Sequence, residues 1–370
     1  MNICYVGDAA SIHTQRWVRW FAVRYEVIVI STGVDSGLPE YKVATLPSKM
    51  KRGSRLVHSV REVRRVLAEH RPDILHCHYV NEAGWFGLAS RWRPLVVTAW
   101  GSDIYRAPTE SHIARFLNPL TLRRADHVTC DSQDQAAVIR SWGVAPGRVS
   151  VIGWGVDRTE FHPGVDGTAL RDELDIPRGA PVVLSPRQWY ANSNIPTVVA
   201  AHERLPDGTY LILKRSPGFE PDNGAGVLEA IEKSSAGERI RVVGMLESSA
   251  LPSLYAAADV VVSICTTDGT PVSVLEAMAV GRPVVAFEIP SLAEWVAEPG
   301  GRLVRRMDAE LIADALQSFL ADTRAREQAA VHNVGIIATS ADRDAEFERM
   351  AEIYERLHGV AQDTRSADVG

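Results

Sequence analysis

Residues 260–287 read VVVSICTTDGTPVSVLEAMAVGRPVVAF. Val260–Ile264 and Pro283–Phe287 are apolar runs of strand length. Between them, Asp268–Ala279 leaves the first run as a loop and opens a helix. A strand, a loop, a helix and a second strand make a crossover unit, which joins parallel strands. Two carboxylates lie within it: Asp268 in the loop and Glu276 in the early turns of the helix.

The same alternation runs outward in both directions. Upstream, Ile3–Val6, Glu26–Ser31, Ile74–Cys77, Leu95–Thr98, His127–Cys130 and Val149–Ile152 read as strands. A second series comprises Val182–Ser185, Tyr210–Leu213, Arg239–Val243 and the two runs above. Helical patterns lie between, among them Thr14–Val23, Leu56–Leu67 and Leu251–Ala257. Parallel sheets covered on both faces follow, and right-handed crossovers make them doubly wound. Turn residues over Gly164–Ala180, around a short helix at Leu170–Leu174, mark a junction. The expected division is therefore 1–165, 166–341, and a terminal helix and tail over 342–370 that packs back towards the first domain. The helix is read over Asp342–Leu357 and a frayed polar tail over Asp363–Gly370.

The chain has 370 residues, 46 % hydrophobic and 23 % charged, which suits two soluble domains with sizeable cores. No apolar run is long enough to span a bilayer. The first strand follows the start directly, so no signal peptide is expected. Cys4, Cys77, Cys130 and Cys265 stand alone in apolar stretches, without metal-ligand spacing. Reduced core cysteines of a cytoplasmic protein are the expectation. Residues 1–165 hold 21 Lys+Arg against 15 Asp+Glu, and the remainder 19 against 31. The acidic total of −6 argues against a nucleic-acid partner.

In doubly wound sheets ligands lie outside the carboxyl ends of the strands, so the loops there carry the function. Asp268 and Glu276 can accept hydrogen bonds from paired hydroxyls, and the helix start between them offers N–H groups to phosphate. On spacing alone, a helix-capping Asp268 with a solvated Glu276 is an equal reading.

Asp268 to Glu276, followed by Ala277-Met278-Ala279-Val280-Gly281-Arg282-Pro283-Val284-Val285-Ala286, resembles the signature of the retaining glycosyltransferases of family 4. Leu251–Asp259 is similar to the same family, as is Gly155-Val156-Asp157 with Phe161 and Pro163. The resemblance implies the GT-B fold, two doubly wound Rossmann-like domains facing a central cleft. It also implies transfer of a sugar from a nucleoside-diphosphate sugar to a hydroxyl acceptor with retention and without metal or other cofactor. A UDP-sugar is the favoured donor and a GDP-sugar the alternative. The acceptor is a small molecule, a glycan or a lipid-linked compound.

By this resemblance Glu276 holds ribose hydroxyls, while Asp268, Gly269 and Thr270 hold the transferred sugar. The family's first acid is usually Glu, and Pro271 stands where a Gly is usual, removing one N–H. Arg187 matches a family Arg that grips the diphosphate. The family Lys five residues on is here Asn192, so Lys214, or failing it Arg215, is expected to supply the second cation. In the first domain, Asp103 and His13 are the candidates for catalysis. Asp103 is read as an acceptor contact or weak base. His13 is a cleft residue or else a loop histidine. Trp100, where many relatives have His, offers a stacking face or core packing, and His78 is a further acceptor-side candidate. His76 and His78 share one strand face and read as a packed pair rather than a metal site. Ser11 or Thr14 would cap the first helix.

Residues 49–71 carry a net charge of +6 with Leu56, Val60, Val63 and Leu67 on one helical face. Peripheral contact with an anionic inner membrane surface, or a core helix with a solvated basic face, fits this pattern. Two rival functions stay open. One is a nucleotide-sugar epimerase or phosphorylase on the same fold; the other is a non-catalytic sugar-nucleotide-binding protein.

Overall fold

The strands of this chain are mostly unbroken apolar runs, and such runs are stable only where both faces are covered. In a computed structural model, which describes residues 1–33, 37–38, 41–46, 52–215 and 223–367, they form two all-parallel sheets. The first contains β1 (Asn2–Gly7), β2 (Glu26–Ser31), β3 (Lys42–Thr45), β4 (Ile74–His78), β5 (Leu95–Thr98), β6 (His127–Cys130) and β7 (Val149–Val151). Its order is β3-β2-β1-β4-β5-β6-β7. The second contains β8 (Val182–Ser185), β9 (Tyr210–Lys214), β10 (Ile240–Val243), β11 (Val260–Ser263), β12 (Val284–Phe287) and β13 (Gly301–Val304), in the order β10-β9-β8-β11-β12-β13.

Two units result: Met1–Trp154 joined by the residues from Ala345 on, and Gly155–Asp344. In the first, one sheet face (Cys4, Val6, Ile28, Leu75, Val97) packs with Val63, Val66 and Leu67 of helix 52–70. The opposite face carries Tyr5, His76 and His78. It is covered by Trp17, by Phe21 and by Tyr354 of the terminal helix. The Trp17 indole N–H and the Tyr354 hydroxyl are 3.3 Å apart. In the second unit, Leu184, Ile212, Val261 and Val284 pack on Leu254, Leu275 and Met278. Val183, Leu211, Val262 and Val285 pack on Val198, Ile312 and Leu316.

The crossover helix Val272–Ala279 shows how local sequence sets a boundary. It ends on Gly281, whose φ of +79° suits a residue without a Cβ. The Gly281 N–H donates to Met278 O and the Arg282 N–H to Ala277 O, both at 2.9 Å. This pair of bonds closes the last turn and turns the chain into β12.

The structure adds two strands to those read from sequence. β3 and β13 are edge strands, and an edge strand needs no continuous apolar run: Lys42 and Arg302 are exposed there. Helix ends differ by a few residues. The terminal helix runs Arg343–Ala367, so residues 363–367, expected to fray, are helical; 368–370 lie outside the described residues. Leu56, placed on the apolar face of its helix, is 42 % exposed. Ser11 occupies the N-cap of helix Ile12–Ala22 without a side-chain cap bond, and Thr14 is buried inside the helix. Gln15 instead donates to Ala9 O and Ala10 O. All four cysteines are buried, and none is in a disulfide among the described residues.

Gly301 opens β13 against β12, where a Cβ would stand 2.3 Å from Val284 O and 2.7 Å from Val296 Cγ1. The backbone oxygen cannot yield, so Gly301→Ala should destabilise the chain by roughly 1–3 kcal/mol. A lowered urea midpoint at unchanged slope is the expected result.

Candidate functional site

Strand order reverses in the second unit between β8 and β11, and in such sheets ligands lie beyond the carboxyl ends of the strands at that point. Two loops leave the sheet there. The first follows β8 and carries Arg187; the second follows β11 and carries Asp268. The Arg187 Nη2 lies 2.5 Å from Asp268 Oδ2, with 16 % and 23 % of the two side chains exposed. Burial opposes the guanidinium charge, but Asp268, together with Cys265 and Tyr255, outweighs burial and raises the Arg187 pKa further.

The loops are also tied through their backbones. Thr266 N–H donates to Asn192 O at 3.0 Å, and the Asn192 side-chain amide reaches Thr267 O at 3.3 Å. Asn194, with φ of 50°, donates to Ile264 O at 3.1 Å. Asn192, where the resemblance leads one to expect a lysine, is thus a brace between the loops. Beyond Asp268, the Ser291 hydroxyl donates to Asp268 O at 3.0 Å. The Trp295 indole donates to Thr270 Oγ1 at 3.3 Å. Gly269 and Thr270 are buried. Pro271 is the N-cap residue of helix Val272–Ala279.

Glu276 is 5 % exposed, so the reading of a solvated carboxylate does not hold. The Tyr255 hydroxyl donates to Glu276 Oε2 at 2.8 Å. Tyr255 lies at 2 % exposure, against Phe161. No role was assigned to Tyr255 from sequence. The available signal was a phenol inside an apolar helix, which needs a partner for its hydroxyl. Lys214 ends β9, with its pKa lowered by burial and held up by the Glu276 carboxylate. The Arg215 guanidinium lies over the Trp189 ring, 4.9 Å from its centroid, a stacking position. Tyr255, bonded to Glu276, also adds to the electrostatic surroundings that raise the Arg187 pKa. Arg187, Lys214, Asp268 and Glu276 therefore form one linked set of two cations and two acids at the carboxyl edge of this sheet.

In the first unit, strand order reverses between β1 and β4, and an aromatic cluster occupies the carboxyl ends there. His13 meets Trp100 at 5.7 Å and Trp154 at 4.9 Å between ring centroids. Trp100 and Trp154 meet edge-on at 5.1 Å. His78 packs against Tyr5, Trp17, Trp100 and His76. Neither ring nitrogen of His78, nor Nδ1 of His13, nor Nε1 of Trp100 has a hydrogen-bond partner among the described residues. Burial, with Arg16 adding to it, lowers the His13 pKa to about 4. Burial, then His13, lowers that of His78 to about 3. His76 is bonded on both sides, to Tyr354 Oη at 2.5 Å and Thr98 Oγ1 at 2.6 Å.

Asp103 takes a different place from the one expected. It has no exposed surface. Its Oδ2 accepts from Val80 N–H at 2.8 Å, and its Oδ1 from Trp100 and Gly101 N–H at 3.0 and 2.9 Å. Burial pushes the carboxyl up to about 6 against the pull of these amides. The group clamps the loops after β4 and β5, which positions Trp100, rather than presenting an oxygen to an acceptor.

The basic helix is also partly spoken for. Arg65 pairs with Glu62 and Glu69, Arg55 with Glu82, and Arg64 donates to Ala89 O. Lys49 and Lys51 of the membrane-contact segment lie outside the described residues, as does the Arg52 side chain. No helix among the described residues is long and apolar enough to cross a membrane. Nor do three His, Cys, Asp or Glu residues gather there in a metal-binding group.

The second unit thus carries a cation- and acid-lined set of sheet-edge loops, and the first an aromatic set. A Glycosyl transferase 4-like family model matches residues 2–132, and a Glycosyl transferases group 1 model matches residues 218–322. The chain belongs to these GT-B glycosyltransferases. It is 29 % identical over 276 residues to the D-inositol 3-phosphate glycosyltransferase of Corynebacterium efficiens. The match covers 69 % of this chain and 64 % of that relative, so it spans less than two thirds of the relative's length. Among solved structures, sucrose-phosphate synthase from Thermosynechococcus elongatus superposes with a TM-score of 0.85 at 22 % identity, covering 97 % of this chain and 100 % of that one. HepE of Anabaena, solved with UDP and glucose, gives 0.84 at 20 % identity, covering 96 % and 100 %. These two likenesses establish the fold.

The histidine pKa values set an acid limit on stability. Both lie below the ordinary 6.5, so the unfolded chain takes up protons first as pH falls. The stabilisation is present above about pH 6.5 and is lost as pH drops towards 4 and 3. At pH 5 neutral burial of His78 costs roughly 2 kcal/mol of unfolding free energy. His78→Phe, which keeps the packing and cannot titrate, should therefore lose less stability than the wild type between pH 7 and 5. Equal pH slopes in denaturant titrations would contradict the buried neutral state.

Proposed function

We propose that this chain transfers a sugar from a nucleoside-diphosphate sugar to a hydroxyl acceptor, with retention of anomeric configuration and without a metal. The carrying observation is the ion pair of Arg187 with Asp268 at the strand-reversal edge of the second sheet, with Lys214 at the end of the next strand within the electrostatic reach of Glu276. An anionic diphosphate needs buried cations there, and sugar and ribose hydroxyls need acceptors. A UDP-sugar is the favoured donor, since HepE was solved with UDP-glucose; a GDP-sugar is the alternative.

In this reading Glu276 accepts from the ribose hydroxyls, its rotamer held by Tyr255. Asp268, Gly269 and Thr270 line the sugar. Arg187 and Lys214 stabilise the charge that grows on the leaving diphosphate as the glycosidic bond breaks, when such stabilisation lowers the barrier most. The acceptor, a small molecule, glycan or lipid-linked hydroxyl compound, comes against Trp100, His13 and His78. At neutral pH both histidines are uncharged, so they meet a hydroxyl as neutral hydrogen-bonding groups. Asp103 serves through the loop it clamps. Cytoplasmic placement, with or without contact at the inner membrane surface, completes the reading.

Glu276→Ala and Arg187→Ala should each weaken nucleoside-diphosphate binding by roughly 1.5–3 kcal/mol, the cost of a charge-assisted contact. Calorimetry showing wild-type affinity in both would remove the site assignment. Transfer should continue in excess chelator, and an α-linked donor should give an α-linked product by proton NMR. An inverted product, turnover without an acceptor, or dependence on free phosphate would each overturn the reaction.

Lys214→Met keeps the aliphatic stem and removes the charge. Turnover should fall at least about tenfold, or 1.4 kcal/mol of barrier, with the melting temperature held or raised because a buried charge is gone. A fully active variant would pass the role of second cation to another residue.

A further inference from the structure

Arg187 is the buried cation best placed for a diphosphate, yet one edge of its guanidinium is already taken. Nη2 is paired with Asp268 Oδ2 at 2.5 Å. The Nε–H of the same group is buried with no partner among the described residues. One donor is held by an internal anion while another is left for a ligand.

The backbone around Asp268 is held on both sides. Asn192 braces Thr267, and Ser291 donates to the Asp268 carbonyl. The Asp268 carboxylate can therefore change partner by side-chain rotation, without moving the loop.

Resting on the donor-site reading above, we infer that Asp268 is a built-in counter-ion of Arg187 and selects the intact nucleotide sugar over the free nucleoside diphosphate. A bare diphosphate must put its negative charge beside this carboxylate and share Arg187 with it. Like charges in a largely buried site repel, so its binding is weakened. An intact donor brings hydroxyl donors. They hydrogen-bond the carboxylate, draw it from Arg187, and free the guanidinium for phosphate oxygens. Once the sugar has left on the acceptor, the carboxylate loses those donors and returns to Arg187. The diphosphate then loses part of its hold, and product release follows. Only hydrogen bonds and ion pairs are exchanged; no covalent step is added.

The sign of one mutation separates this from an ordinary binding role. Removing the charge at position 268 should tighten the bare diphosphate. Isothermal titration of the full chain at fixed salt would compare UDP with UDP-glucose, and GDP with GDP-mannose, in wild type, Asp268→Asn and Arg187→Ala. The wild type should prefer the sugar conjugate. Asp268→Asn should bind the bare diphosphate about tenfold tighter, the conjugate no tighter, and lose the preference. Stopped-flow release of UDP should slow in the same variant. Asp268→Ser provides the same comparison should the Asn variant fold poorly, with thermal denaturation reporting folding for each.

If Arg187→Ala weakens diphosphate binding while neither position-268 variant tightens it, the counter-ion inference is overturned and the donor site stands. If the wild type binds neither UDP nor GDP, or Arg187→Ala leaves binding unchanged, the donor-site reading fails and this inference with it.

Discussion

A parallel strand cannot be followed directly by its neighbour; the chain must cross a face of the sheet first, and it does so as a helix. Every strand then ends at the same edge, and every loop leaving that edge opens on the same side. Where the strand order reverses, two such loops diverge and leave a crevice. That constraint places Arg187 and Asp268 together, though 80 residues of chain separate them, because β8 and β11 are neighbours in the sheet. It also places His13, His78 and Trp100 together at the corresponding edge of the first sheet.

The two edges differ in chemistry. The one in the second unit is made of balanced charges: two cations and two acids, each cation held near an acid. Such a set is stable before a ligand arrives because no buried charge is left alone. In the proposed reading it is also responsive, because a ligand bearing both phosphate and hydroxyls can exchange with these partners. The edge in the first unit is made of rings. Its histidines are held uncharged at neutral pH, and its carboxylate, Asp103, is spent on three backbone amides. Charge management falls to one unit and shape to the other.

Much of the architecture was legible because it rests on periodicity. Apolar runs for central strands, amphipathic stretches for helices and Gly–Pro punctuation at their ends are local properties, read correctly one at a time. β3 and β13 were missed for a physical reason: an edge strand is half solvated and carries polar residues such as Lys42 and Arg302. The end of the terminal helix was misread because its last residues are polar, and polarity alone does not distinguish a solvated helix from a frayed tail.

What the sequence alone determined about this protein is its alternation of strand and helix and the residue types at the strand ends: Asp268, Glu276, Arg187, Lys214, His13, His78, Trp100. Which of these touch was decided only by the tertiary structure. Asp103 and Asp268 look equivalent as loop acids, yet one is walled in by amides while the other faces a guanidinium. Tyr255 looks like core and Asn192 like a lost lysine, yet one orients Glu276 and the other braces the Asp268 loop. A side chain's type is written in the chain. Its partner depends on burial and on strands far apart in sequence, and an ionisable group's charge and role follow from that partner.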